Sequence, residues 1–539
     1  LFLEESTMPS HPDTLYVTTA IPFVNARPHL GFALELCIAD VLARHARARG
    51  RSVHFVSGTD DHSLKNVLSA EHAGVSTRAF VDEHAAAFRQ LNAALHTSID
   101  DFVQTSRYPR HAACVYQLWR ACSERGDLYR KTYAGLYCVG CERFADPGEE
   151  RCAEHAAPLE QVAEDNWFFR ASRYTELLRE RIHTGALHIT QGAAREEILA
   201  VLRQPLLDLC VSRSATRARG WGLPVPNDPQ QVIWVWFDAL AYYLSALGYG
   251  DADTTRYEQF WCGGGRRLHV IGKGITRFHA LFWPAILASA GVPWPSELLV
   301  HGYLTQAGAK ISKSGAALDP SPWLDAFGAD AVRYYLLRHV RTTRDGDISA
   351  ERFVQAYNAE LANGLGNLVN RTLGLVQRSH SSTVPPVGPL LPPVIELRAA
   401  ALALPDKLDA AVARGALDEA LAAIFELVDI CNRTLDRTAP WSLVRDGEQV
   451  RAGAILRGLL EALRVIAREL QPFLPLSAER LQAALGAPHA DPAWNALSEG
   501  TPLPAALQLF PRRDLAALGA QSGQDEDRSA DGSLSEADN

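Results

Sequence analysis

Leu15-Tyr16-Val17-Thr18-Thr19, Ala20-Ile21-Pro22-Phe23-Val24-Asn25-Ala26-Arg27 and Pro28-His29-Leu30-Gly31-Phe32 are three consecutive stretches whose reading decides the fold. The first is short, apolar and rich in β-branched residues, which predicts a buried strand. The second, with its proline and asparagine, predicts a loop. From Pro28 to Arg49 the apolar residues Leu34, Ile38, Val41 and Leu42 recur at helical spacing, and Pro28 suits a first helical turn. Val53–Ser57 reads as a second strand, closed by a Gly58-Thr59-Asp60 turn before another helix. Strand, helix, strand, helix at this spacing predicts a parallel, doubly wound sheet.

Outward from this unit, Tyr133–Leu159 breaks the rhythm with turns and cysteines and reads as an insertion. Strands are expected again at Gln231–Trp236, Leu268–Gly272 and Leu298–Tyr303. Beyond Ser349 long segments rich in Ala, Leu and Arg predict a helix bundle, interrupted by an extended proline-rich connection at Thr383–Pro393. A chain of 539 residues is too long for one core. The expected divisions are an N-terminal extension (1–14), a split α/β domain (15–117 and 226–348), an insertion (118–225), a helical domain (349–512) and an acidic tail (513–539).

Apolar residues make up 47% and charged residues 21%, the balance of a soluble globular protein. No apolar stretch is long enough for a membrane span, and no secretory leader is legible, so a cytoplasmic location is expected. The net charge of −9 is concentrated partly in the tail, so it does not exclude a nucleic-acid partner. Nine cysteines in so long a chain do not suggest a secreted disulfide framework. Six of them, Cys37, Cys114, Cys122, Cys210, Cys262 and Cys431, lie among apolar neighbours and read as core.

Three constellations carry chemistry. His29 and Gly31 stand at the start of the first helix, where unpaired N–H groups and the helix dipole favour a phosphate. Lys310-Ile311-Ser312-Lys313-Ser314 lies in a Gly/Ala-flanked loop, and its lysines suit charge building on a leaving pyrophosphate. Cys138-x-x-Cys141 and Cys152-x-x-His155 have the spacing of a closed, structural tetrahedral Zn²⁺ site, one per chain. Each short match is weak alone; the first two stand at opposite ends of one predicted nucleotide-binding sheet.

Together they resemble the HIGH and KMSKS signatures of class I aminoacyl-tRNA synthetases. Thr18–Ala26 and Gly58-Thr59-Asp60-Asp61-His62 resemble the methionyl branch in particular, and the likeness runs from about Leu15 to Leu509. The resemblance implies activation of L-methionine by ATP with Mg²⁺, then transfer to tRNA(Met). It implies catalytic roles for His29, Lys310 and Lys313, with Gly31, Lys273 and Ser312 also on the nucleotide. It implies an amino-acid site of Ile21, Phe23, Asp60, Arg213, Val235, Trp236, Ala239, Tyr243, Ile275, Phe278, His279 and Trp283. Within it Asp60 would take the substrate ammonium, the aromatic wall suits a polarizable thioether, and Tyr243 and His279 would offer polar hydrogens to the sulfur. The branch also carries a zinc knuckle where the four metal-spaced residues fall. Asn367 and Arg371, one turn apart on a helix, match anticodon-reading positions with Trp441. A monomer is expected.

Four positions depart from the family pattern: Phe32 for a histidine, Gly274 for an aspartate, Phe23 for a tyrosine and Ser63 for a glycine. They leave open two alternatives, a paralogue that passes an aminoacyl-adenylate to a small amine, and a non-catalytic tRNA-binding protein. Retention of the anticodon trio counts against the first, and retention of the loop lysines and pocket against the second.

Overall fold

The computed structural model describes residues 13–138, 143–144, 151, 158–306, 309–310, 319–486 and 493–519, with backbone alone at 143–144, 309–310 and 519. The chain divides into two units: Leu1–Ala93 with Thr97–Gly302, and Ala94–His96 with Tyr303–Asn539.

The first unit is built on a parallel sheet of β1 (Thr14–Thr18), β2 (Ser52–Thr59), β3 (Asp101–Gln104), β4 (His188–Ile189), β5 (Arg266–Gly272) and β6 (Glu297–His301). Their order across the sheet is β3-β2-β1-β5-β6-β4, and every pairing is parallel. All five residues of β1 are buried, as expected of a strand covered on both faces. Helix α1 (Leu30–Ala48) follows β1 and packs on β1, β2 and β5. Residues drawn from β1, β2 and β6 join Trp119, Trp234, Trp261 and Trp283 in one continuous core.

Four local expectations are corrected. Helix α1 begins at Leu30 with His29 as its N-cap, so Pro28 lies before the cap and outside the first turn. β2 runs on through Gly58 and Thr59, because their backbones pair with Val103 and Gln104 of β3. The segment read as a strand at Gln231–Trp236 pairs antiparallel with Ser212–Ser214 in a separate sheet, as part of Asp228–Ile233. From Val235 the chain is helical. Short β3 and β4 carry little periodicity, and β4 comes from the stretch expected to be insertion. That stretch otherwise supplies the long antiparallel hairpin Leu128–Cys138 with Glu160–Phe169.

The second unit is mainly helical. Pro392–Ala413, Leu417–Thr438 and Gln449–Leu470 pack on one another, and the last is buried over most of its length. The charges buried in Gln449–Leu470 are paired. Glu461 accepts from Arg464 Nε and from the Leu497 N–H, both at 2.9 Å. Arg457 donates to the carbonyls of Pro385 (2.7 Å) and Leu497 (2.6 Å), which fastens the extended connection to the bundle. No described helix is long and apolar enough to cross a membrane.

Candidate active site at the crossover of the sheet

Strand order reverses between β1 and β5: the chain leaves β1 toward β2 and leaves β5 toward β6. Loops diverge above the carboxyl ends of such neighbours and leave a crevice there. The loop after β1 carries Ile21 and Phe23, the turn after β5 carries Lys273 and Ile275, and α1 begins at the same edge. Thr18 Oγ1 lies 2.7 Å from His269 Nδ1 and ties the two strands directly beneath the crevice.

His29 has the extended backbone of an N-cap, and its Nδ1 accepts the Phe32 N–H at 3.3 Å. A ring nitrogen that accepts carries no hydrogen, so the imidazole hydrogen sits on Nε2. Gly31 is needed for this arrangement, since a Cβ there would lie 2.9 Å from the His29 ring. Phe32 is 6% exposed and sits edge-on to Phe88 at 5.1 Å, so its ring belongs to the core. Ser63 caps the helix Leu64–His72 through its side chain, which gives that departure a local reason.

The aromatic residues expected to line one pocket are brought together. Trp236 stacks on Phe278 with ring centres 3.8 Å apart, and Phe23 approaches Trp236 edge-on at 6.4 Å. Tyr243 lies 5.9 Å from Trp283 and against His279. Val235 and Ala239 are buried on the short helix that carries Trp236. The hydrogen bonding of the wall differs from expectation. His279 Nδ1 donates to the Ile275 carbonyl at 2.9 Å, which leaves Nε2 to accept from the Tyr243 hydroxyl at 2.7 Å. Burial pushes the His279 pKa down to about 4 and holds the Tyr243 phenol protonated. Both side chains therefore direct their polar hydrogens within the protein, and neither has one for a thioether. The buried Trp283 indole nitrogen has no partner among the described residues.

Asp60 is buried at the end of β2, bridged to Phe23. Its N–H donates to the Pro22 carbonyl at 3.0 Å, and one carboxylate oxygen accepts the His62 N–H at 3.3 Å. Asp61 faces the other way, accepting from Thr59 and Ser106, and burial pushes its pKa up. Arg213 is buried behind the pocket wall, over the Trp234 ring at 5.5 Å. It donates to the Ser212 carbonyl (2.7 Å) and to the Tyr137 hydroxyl (3.2 Å). Gly274 is exposed in the turn after β5, beside half-buried Lys273.

The remaining sequence-derived sites are described only in part. Lys310 ends a short strand of the second unit, whereas Ser312 and Lys313 lie outside the described residues. Cys138 is buried at the end of its hairpin strand, and Cys141, Cys152 and His155 lie outside the described residues. Among the described residues no group of three or more metal-ligating side chains converges. In the second unit Arg371 pairs with Asp436 at 2.6 Å and approaches the Trp441 ring at 6.0 Å. Asn367, one turn earlier, is exposed, and Trp441 is 43% exposed.

Sequence reasoning missed the buried charges that hold the site. Glu35 of α1 accepts from the Ala20 N–H (2.7 Å) and pairs with His301 (2.9 Å). Asp238 is hydrogen-bonded to both His62 and His111. The legible signal was a lone carboxylate in an apolar helical run, which burial makes costly unless it is paired.

Comparison with known proteins agrees with this architecture. The family model described as tRNA synthetases class I (M) matches residues 15–159 and 149–373, and that of the anticodon binding domain of methionyl tRNA ligase matches 395–511. A methionine–tRNA ligase of Brucella melitensis is 38% identical over 519 residues, covering 92% of this chain and 97% of that protein. One from Thermosynechococcus vestitus is 39% identical over 477 residues, covering 87% and 89%. The solved structure of Mycobacterium tuberculosis methionyl-tRNA synthetase in complex with methionyl-adenylate superposes with a TM-score of 0.88 at 36% identity, covering 93% of this chain and 100% of that one. With family models spanning both its units and relatives spanning nearly its whole length, the chain belongs to the methionyl family of class I tRNA synthetases.

Proposed function

We infer that the protein is a methionine–tRNA ligase, forming methionyl-adenylate from L-methionine and ATP and transferring the methionyl group to tRNA(Met). What supports the reading is the aromatic cluster in which Trp236 stacks on Phe278 and Tyr243 lies by Trp283, together with the His29 cap that opens α1. In the first step a substrate carboxylate oxygen attacks the α-phosphorus of ATP, the bond to the β-phosphate bridge breaks, and pyrophosphate leaves. In the second, a ribose hydroxyl at the tRNA 3′ end attacks the adenylate carbonyl and AMP departs.

Asp60 takes the ammonium of the substrate, whose side chain fills the pocket lined by Ile21, Phe23, Val235, Trp236, Ala239, Tyr243, Ile275, Phe278, His279 and Trp283. Arg213 backs that wall. With the pocket's hydroxyl and imidazole hydrogens directed inward, selectivity rests on shape and on sulfur–aromatic contact. His29 Nε2–H and the first turn of α1 face the phosphates, with Gly31 and Lys273 at the nucleotide. Lys310, Ser312 and Lys313 have the roles on the nucleotide that the resemblance implies, the lysines stabilising charge as pyrophosphate forms. Mg²⁺ accompanies ATP as its counter-ion. Asn367, Arg371 and Trp441 read the anticodon, Trp441 by stacking a splayed base. A monomer working in the cytoplasm fits an enzyme that meets its tRNA there.

Cys138, Cys141, Cys152 and His155 would hold one structural Zn²⁺; three thiolates and an imidazole are a donor set that suits it. Elemental analysis should find about one zinc per chain. Cys138→Ser should lower both the occupancy and the melting temperature, and a folded, metal-free protein would contradict the site.

The deciding experiment is charging of tRNA transcripts with methionine, comparing a CAU anticodon with a scrambled one. CAU-dependent charging is expected. Adenylate formation without transfer would favour a small-amine ligase, and neither step a tRNA-binding protein.

A further inference from the structure

Asp238 lies on the helix Val235–Leu240 between pocket residues Trp236 and Ala239, yet its own side chain is 1% exposed and turned away from them into the protein. One oxygen meets His62 Nδ1 at 2.5 Å and the other meets His111 Nε2 at 2.6 Å. His111 opens the helix His111–Glu124, and its other nitrogen lies 3.1 Å from the Ser245 hydroxyl, beyond Tyr243. His62 belongs to the loop of Asp60, and its backbone N–H donates to an Asp60 carboxylate oxygen. Trp221 covers this loop, its ring edge-on to His62 at 5.9 Å and its indole N–H donating to the Asp61 carbonyl at 2.7 Å. Asp238 thus joins the pocket helix to the loop bearing the ammonium-binding candidate.

We propose that Asp238 and protonated His62 form a positioning pair that orients the Asp60 carboxylate, so that methionine binding depends on the charge of His62. This rests on the reading of the site as a methionine site. The charged and titratable groups facing His62 are Asp238 from the pocket helix, Asp61 on its own loop and Arg78 from the helix Thr77–Ala94. Those facing Asp238 besides His62 are His111, Cys114 and Tyr116. Burial opposes charge on His62, but Asp238, helped by Asp61 and opposed by Arg78, keeps its pKa above the ordinary value. The two histidines in turn hold the Asp238 carboxyl far below the usual carboxylate range against its own burial. A charged His62 fixes its loop more firmly than a neutral one, because ion pairing adds to the hydrogen bond.

His62→Asn separates charge from shape: the asparagine amide places a donor where Nδ1 stands and carries no charge. L-Methionine affinity of the full-length protein and of this variant should be measured from pH 6.5 to 9. At the acid end the variant should bind about tenfold more weakly, the factor of one pKa unit, and the ratio should approach one as His62 of the unmodified protein loses its proton. Loss of the proton on methionine itself is common to both proteins and cancels in the ratio. A ratio that stays constant with pH indicates a purely structural residue and overturns the inference alone. Failure of the unmodified protein to bind methionine at any pH overturns the methionine-site reading as well. Should His62→Asn not fold, labelled-histidine NMR of the unmodified protein decides: by reciprocity methionine should raise the His62 titration midpoint, and an unmoved midpoint overturns the inference.

Discussion

At the scale of single residues, two departures from the family signature, Phe32 and Ser63, are explained by where their side chains go. Phe32 stands at a motif position where a phosphate-facing histidine is expected, yet its ring is buried against Phe88. Phe32→His would place a polar ring in that apolar contact, so it should cost about 1–3 kcal/mol of stability without raising the adenylation rate. Denaturant unfolding and pyrophosphate exchange measure the two effects, and a tenfold gain in rate would show that position 32 reaches the nucleotide. His29 supplies what Phe32 does not, because capping α1 through Nδ1 leaves its hydrogen on Nε2. Removing that cap in His29→Ala should slow exchange about 10²-fold, with roughly 1 kcal/mol of destabilisation.

At the scale of elements, the crossover between β1 and β5 puts two loops and one helix start at a single edge. That a helix follows the first strand was legible in the sequence, because a short apolar run followed by helical periodicity has few other readings. Only Gln231–Ile233 of the strand Asp228–Ile233 was legible, and its partners were not: pairing direction depends on what lies alongside, which periodicity does not record. The anticodon candidates form a small element of their own, with Arg371 steered by Asp436 toward a half-exposed Trp441. Trp441→Ala should lower charging efficiency about 10–100-fold, the worth of one stacked base, while leaving pyrophosphate exchange within about twofold. Equal loss in both assays would remove Trp441 from tRNA recognition.

At the scale of the whole molecule, buried histidines contribute to the loss of stability in acid. His279 titrates near pH 4 in the folded protein, and burial lowers His269 as well. Between the unfolded value, about 6.5, and the folded one, the unfolded chain binds the extra proton, so stability falls as pH falls through that window. His279 alone accounts for a loss of about 3 kcal/mol by the lower end. His62 works in the opposite sense: its raised pKa contributes stability that is present at low pH and is lost as pH rises through the folded value. The melting temperature should therefore drop clearly from pH 7 to 4, and His279→Gln should flatten that limb. A limb of unchanged slope in the variant would contradict this assignment.

The sequence by itself determined the class of the fold and the order of strand and helix that opens it, whereas the pocket residues and the anticodon trio were implied by the family resemblance. Fold class and element order are local patterns, a period or a run of turn residues. Only the tertiary structure decided that Phe32 faces the core and that Tyr243 and His279 direct their hydrogens within the protein. It alone placed Asp238 between His62 and His111, at sequence separations of 176 and 127 residues. Local sequence constrains backbone torsions and which face is apolar. The partner of a buried polar group is chosen by packing, once desolvation has made an unpaired charge too costly to leave.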